Sequence, residues 1–128
     1  MPPPASKKIL LIEDDVLIAE LLGEGLSAKY YIKRAATGEE ALSTLSGERP
    51  DLIILDILLP GIDGFEVLRR LKADPATANI PVIVLSNLSG DEDIAKAKEL
   101  GAAEFIVKIT LSPEEVVSHI AQILDHAA

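Results

Sequence analysis

At 128 residues the chain has the size of one compact domain. Its formal charge of −9, from 21 acidic and 12 basic side chains, excludes the general basic surface that neutralises nucleic-acid phosphates. Apolar residues make up 48% of the sequence and aromatic ones only 3%, so the core must be built from Ile, Leu, Val and Ala; with no cysteine, disulfides, thiolate metal sites and thiol nucleophiles are excluded and a reducing compartment is favoured.

In chain order, Met1 to Ser6 is rich in proline and small residues and reads as a flexible tail, residues 1–6, ahead of one domain over 7–128. Ile9 to Ile12 is a buried strand, too short before Glu13 for a signal peptide or a membrane span, and the later apolar runs are broken by Asp56, Pro60 and Pro81. A soluble, cytoplasmic protein is expected. Glu13, Asp14 and Asp15 end the first strand, and Leu17, Leu21, Leu22 and Leu26 form the apolar stripe of a first helix. Tyr30 to Ala35 is a weaker strand. Thr37 and Glu40 make a capping box ahead of Ala41, Leu42 and Leu45, and Gly47 ends that helix. Leu52 to Leu55 is the third strand and runs into Asp56; Asp63 and Glu66 then open a helix carrying Val67, Leu68 and Leu71. Val82 to Leu85 is the fourth strand, ended by Ser86, and a polar helix over Asp91 to Glu99 closes at Gly101. Glu104 to Val107 is the fifth strand, ended by Lys108. Ser112 as cap, Pro113 in the first turn and Glu115 open the last helix, which carries Val116, Val117, Ile120 and Leu124 on one face.

Five strand-then-helix units joined by right-handed crossovers make an α/β fold: a five-stranded parallel sheet, doubly wound, with helices on both faces. Ligands of such sheets bind outside the carboxyl ends of the strands. Four of the five strands deliver a charged or hydroxyl group there: Glu13 with Asp14 and Asp15, then Asp56, Ser86 and Lys108.

Asp14 and Asp56 on neighbouring strand ends repel each other unless a cation intervenes. Oxygen ligands without His or Cys select a hard ion, and a few carboxylates with positions left open suit Mg²⁺ better than a full Ca²⁺ cage. Asp15 reads more simply as a helix cap. Asp56 interrupts Ile53, Ile54, Leu55, Ile57, Leu58 and Leu59, where an unpaired carboxylate is costly, so a functional role explains it better. Lys108 can neutralise a carboxylate or a phosphoryl oxygen, and Ser86 can donate to that oxygen or cap the turn with Asn87 and Ser89. Nucleophile, cation, charge stabiliser and donor are the parts that phosphoryl transfer needs.

The stretches ILLIEDD, DLIILDILLPGIDGFEVL, VIVLSN and GAAEFIVK, within a match running from about Lys7 to Leu124, resemble the receiver domains of bacterial response regulators. The resemblance implies a flavodoxin-like strand order 2-1-3-4-5 and Asp56 as phosphoacceptor. It further implies Asp14, Asp56 and the Leu58 backbone carbonyl as ligands of Mg²⁺, with Mn²⁺ as a substitute and Glu13 acting through water. Ser86 and Lys108 would contact the phosphoryl group, and Phe105 would turn inward when Ser86 moves. The implied partner is a histidine kinase or phosphotransfer protein that supplies a phosphohistidine, with a downstream protein effector. No contact with nucleic acid or membrane is expected, and the chain is expected to be a monomer or a phosphorylation-linked homodimer. It is expected not to be an enzyme in the usual sense, catalysing only its own phosphorylation and dephosphorylation.

Two residues depart from the family pattern. Ile109 stands where Pro usually follows the Lys, and a cis bond there costs ~2.5–4 kcal/mol, so a trans Lys108–Ile109 bond and a rearranged final loop are expected. Phe105 has no hydroxyl where Tyr is common, which leaves packing as its means of switching. Leu58 and Leu88, each two residues beyond a site residue, offer no polar atom to orient a water, so a long-lived phosphoryl group is expected. Two rivals stand: a phosphatase with an Asp nucleophile, which would need a second Asp where Leu58 is, and a receiver-like adaptor that works without phosphate. Gly23 and Gly25 read as helix packing or local flexibility, and His119 as a surface residue away from the rim.

Overall fold

A computed structural model describes residues 7–108 and 112–126; the expected tail and the bond to Ile109 lie outside the described residues. The elements alternate as β1 (Lys8–Ile12), α1 (Val16–Leu26), β2 (Tyr31–Ala35), α2 (Gly38–Leu45), β3 (Leu52–Leu55), α3 (Gly64–Ala73), β4 (Val82–Ser86), α4 (Asp91–Glu99), β5 (Glu104–Val107) and α5 (Pro113–His126). All pairings are parallel and the sheet order is β2-β1-β3-β4-β5, as expected. β1 lies between β2 and the central β3, with Ile12 opposite both Ala35 and Leu55, so the residue after each of those strands arrives at one rim.

Alternation along the strands divides the core in two. Ile9, Leu11, Leu52, Ile54, Ile83, Leu85 and Ile106 pack with Ala19, Leu22 and Leu26 of α1 and Val116, Ile120 and Leu124 of α5. Leu10, Ile12, Ile53, Leu55, Val82 and Val84 face the other way, onto Ala41, Val67, Leu68, Leu71 and Ala97 of α2, α3 and α4. Both faces of the sheet are covered, which is why its strands read as unbroken apolar runs.

The first helix differs from expectation. Leu22 and Leu26 are buried, but Leu17 is 65% exposed and Leu21 41% exposed; Ala19 takes the place they were given. α1 settles close to α5, and a Cβ built on Gly25 would meet Val117 Cγ2 at 2.7 Å.

Capping follows the sequence in outline. Asp15 accepts from the Leu17 and Ile18 amides, Thr37 from Glu40 and Asp63 from Glu66. Only the last box closes fully: Ser112 accepts from the Glu115 amide while Glu115 accepts from that of Ser112. Glu40 instead accepts from the Ala36 amide, and Glu66 is taken by Arg69 and Arg70, whose hydrogen bonds hold its carboxyl down at about 2. Gly101, at φ 106°, supplies the left-handed residue after α4. α3 starts hard against the end of β3: the Gly64 amide donates to Ile57 O at 2.9 Å, and a Cβ there would overlap the Asp56 carbonyl oxygen and lie 2.5 Å from Ile57 Cα.

Candidate functional site

The rim is assembled by strands that continue one residue past their assigned ends. The Glu13 amide donates to Ala35 O, and the Asp56 amide to Ile12 O, both at 3.0 Å. These ladder bonds fix Glu13 and Asp56 as if they were strand residues, and both side chains are buried, Glu13 only 1% exposed. Asp14 comes next in the pleat and points into solvent, while Asp15 turns back to cap α1. Ser86 is the last residue of β4 and fully buried, its Oγ accepting from the Leu88 amide at 3.4 Å. The hydroxyl therefore does serve the turn after β4, while sitting at the rim.

Lys108 follows β5 and reaches across the sheet. Its Nζ lies 2.6 Å from Glu13 Oε1 and 2.9 Å from Asp56 Oδ2. The other Asp56 oxygen accepts from the Leu58 amide at 3.3 Å. Carboxylate oxygens of Glu13, Asp14 and Asp56 come within 4.8 Å of one another, an all-oxygen set that fits a hard divalent ion. Lys108 thus touches two of the three acids and leaves Asp14 facing outward. Phe105 of β5 is half-buried opposite Val84 and packs against the core on the α3 and α4 face.

Burial pushes the Glu13 carboxyl up to about 7; the hydrogen bond from Lys108 opposes this, and the charge on Asp56 adds to it. Burial alone would lower the Lys108 ammonium, but its bonds to Glu13 and Asp56 prevail and hold its pKa above the ordinary value. A carboxyl raised in the folded state binds more protons there than in the unfolded chain, so its contribution to stability is present below about 4.5 and is lost as pH rises through about 7. With chelator present, the urea midpoint is therefore expected to fall between about pH 5 and about pH 8, and to fall less in Glu13→Gln. Equal slopes in the two proteins would refute this.

One rim residue escapes side-chain patterning. Arg34, near the end of β2, donates from Nε to Glu13 O at 3.0 Å and from Nη2 to Asp14 O at 3.2 Å. The expected strand order sets β2 beside β1 and so places Arg34 near this rim, but nothing in the sequence marks its two carbonyl partners. His119 lies away from the rim, as expected, paired with Glu104 at the start of β5 at 2.8 Å.

The family model described as the response regulator receiver domain matches residues 9–121. The chain belongs to that family. As a receiver domain of two-component signalling it is 40% identical over 104 residues to the response regulator PleD of Caulobacter vibrioides, covering 80% of this chain and 23% of PleD. It is 44% identical over 101 residues to the transcriptional regulatory protein AfsQ1 of Streptomyces coelicolor, covering 78% and 44%. The receiver chain thus spans less than half the length of these relatives. Among solved structures, the phosphorylated cyanobacterial phytochrome response regulator RcpA is similar at a TM-score of 0.88 and 33% identity, with 97% of both chains covered. The Mn²⁺-bound form of response regulator Rcp1 is similar at 0.86 and 28%, covering 95% of this receiver and 96% of that chain. Among the described residues no helix is long and apolar enough to cross a membrane.

Proposed function

We propose that this receiver accepts a phosphoryl group on Asp56 from the phosphohistidine of a histidine kinase or phosphotransfer protein, in a reaction that needs a divalent cation. The observation that carries this reading is the buried Asp56 carboxylate, held by Lys108 on one oxygen and the Leu58 amide on the other, within reach of two further carboxylates.

An Asp56 oxygen forms the new bond to phosphorus as the phosphorus–nitrogen bond of the donor breaks; its electron pair stays on the imidazole nitrogen, which takes up a proton. The two hydrogen bonds orient the carboxylate before the donor arrives. Mg²⁺, with Mn²⁺ as a substitute, would be held by Asp14, Asp56, the Leu58 carbonyl and, through water, Glu13, and would offset charge on the phosphoryl oxygens. Lys108 supplies the second positive charge, and the buried Ser86 hydroxyl, which among the described residues only accepts one long bond, can donate to a phosphoryl oxygen. Val16, Leu17, Leu21 and Leu58 expose apolar surface on α1 and after β3, to which a phosphodonor would dock.

Transmission runs through Ser86 and Phe105 to the face made by α4, β5 and α5. α4 buries only Ala97 and is otherwise tied to α3 by the Lys96 ammonium, 4.3 Å from the centre of the Phe65 ring, so a small change beside it can bias its position. The domain catalyses only its own phosphorylation and dephosphorylation. Incubation with acetyl phosphate and Mg²⁺ is expected to add one phosphoryl group by intact mass, to add none with chelator, and to leave a product that outlasts seconds at neutral pH. No mass gain with Mg²⁺ would replace this reading with a phosphate-independent adaptor.

A further inference from the structure

Asp14 is the weakly held member of the acidic set. Lys108 grips Glu13 and Asp56, the Leu58 amide adds a bond to Asp56, and the Asp15 amide donates to Glu13 Oε2 at 3.2 Å. The exposed Asp14 carboxylate has no such bond among the described residues. Where that carboxylate can reach is therefore set first by its backbone. That backbone is gripped from the side by Arg34, whose guanidinium forks over two successive carbonyl oxygens, those of Glu13 and Asp14. Fixing both carbonyls fixes the peptide planes before and after Asp14, and with them the direction of its Cα–Cβ bond.

We propose that Arg34 is a positioning residue for the divalent cation: it holds the Asp14 carboxylate where Glu13 and Asp56 can share an ion with it. This rests on the reading of the acidic set as a metal site. Two effects of Arg34 oppose each other. Its positive charge disfavours a nearby cation, but the side chain is largely exposed and its charge is screened by salt. Its two hydrogen bonds hold the carbonyls on either side of Asp14, between the ladder bond of the Glu13 amide and the cap at Asp15, and removing partners that orient a metal ligand typically weakens metal binding about 10–100-fold. Orientation therefore outweighs repulsion. A lysine cannot replace it, because one ammonium does not span two carbonyls in a fixed fork.

The test is the Mg²⁺ dissociation constant of the full chain by titration calorimetry, at two salt concentrations, for wild type, Arg34→Gln and Arg34→Lys. Urea unfolding in chelator is measured alongside. Arg34→Gln is expected to bind Mg²⁺ about tenfold more weakly, at the low end of that range, with Arg34→Lys recovering only part of the loss and the unfolding midpoint nearly unchanged. Equal or tighter binding by Arg34→Gln, with wild type binding normally, would overturn the role of Arg34 and leave the metal site standing. Full recovery by Arg34→Lys would overturn the fork in favour of charge alone. A wild type that binds no Mg²⁺ would overturn the metal site, and this role with it.

Discussion

Asp56→Asn is expected to abolish the gain of a phosphoryl group from acetyl phosphate and Mg²⁺ that is expected of the unchanged protein. The substitution keeps the side chain's shape and removes only its charge. An amide oxygen is a poor nucleophile towards phosphorus, and it gives up one of the two carboxylates that share Lys108. The ammonium keeps its 2.6 Å partner in Glu13, so no buried charge is stranded and the variant folds. Removing the Asp56 charge also relieves one of the causes that raise Glu13, whose carboxyl should then titrate below its present value of about 7. The decisive measurement is intact mass beside a melting curve. An equal gain in the folded variant would place the acceptor elsewhere.

Gly64→Ala is expected to destabilise the protein by about 3 kcal/mol and to lower its melting temperature by about 10 °C. Helix propensity alone predicts the opposite, since alanine is favoured over glycine by ~0.8–1.0 kcal/mol inside a helix. Geometry decides the sign: the added methyl would overlap the Asp56 carbonyl oxygen and sit 2.5 Å from Ile57 Cα, and backbone cannot turn aside as a side-chain tip can. Relief requires α3 to back away from β3. That breaks the 2.9 Å bond from the Gly64 amide to Ile57 O and shifts the peptide carrying Asp56, so the phosphorylation rate should fall with stability. A melting temperature at or above that of wild type would show that α3 is not seated this tightly.

The architecture was legible because most of the strands are apolar on both faces and every helix but α4 carries a side-chain cap at its start. Asp15, Thr37, Asp63 and Ser112 all accept helix amides, as their spacing implied. The first helix was misread because it carries more apolar residues than one face can bury. Periodicity counts Leu17 and Leu21 as candidates equal to Leu22 and Leu26, and only the approach of α5 over Gly25 decides among them. At the site, the strand ends predicted which side chains meet but not how they pair. Lys108 chose Glu13 with Asp56 because Glu13 is held inward by its ladder bond to Ala35, while Asp14 follows the pleat outward. Arg34 left no mark in the pattern because its partners are carbonyl oxygens, which every residue has. On an edge strand it reads as a solvated charge.

Every helix of this fold begins at the rim where Asp56 lies, and each brings a partial positive charge to its first turn. Around this site those charges are already answered. Asp15 closes the start of α1 and Asp63 that of α3, and the first turn of α4 carries Asp91, Glu92 and Asp93. The rim is thus poor at holding a free anion, although its topology is one that elsewhere cradles phosphates. Inorganic phosphate and sulfate would find no open helix start around this site, and only Lys108, Ser86 and a bound cation would be left to hold them. If the proposed function holds, the acidic caps make the unphosphorylated domain deaf to free ions that resemble its message.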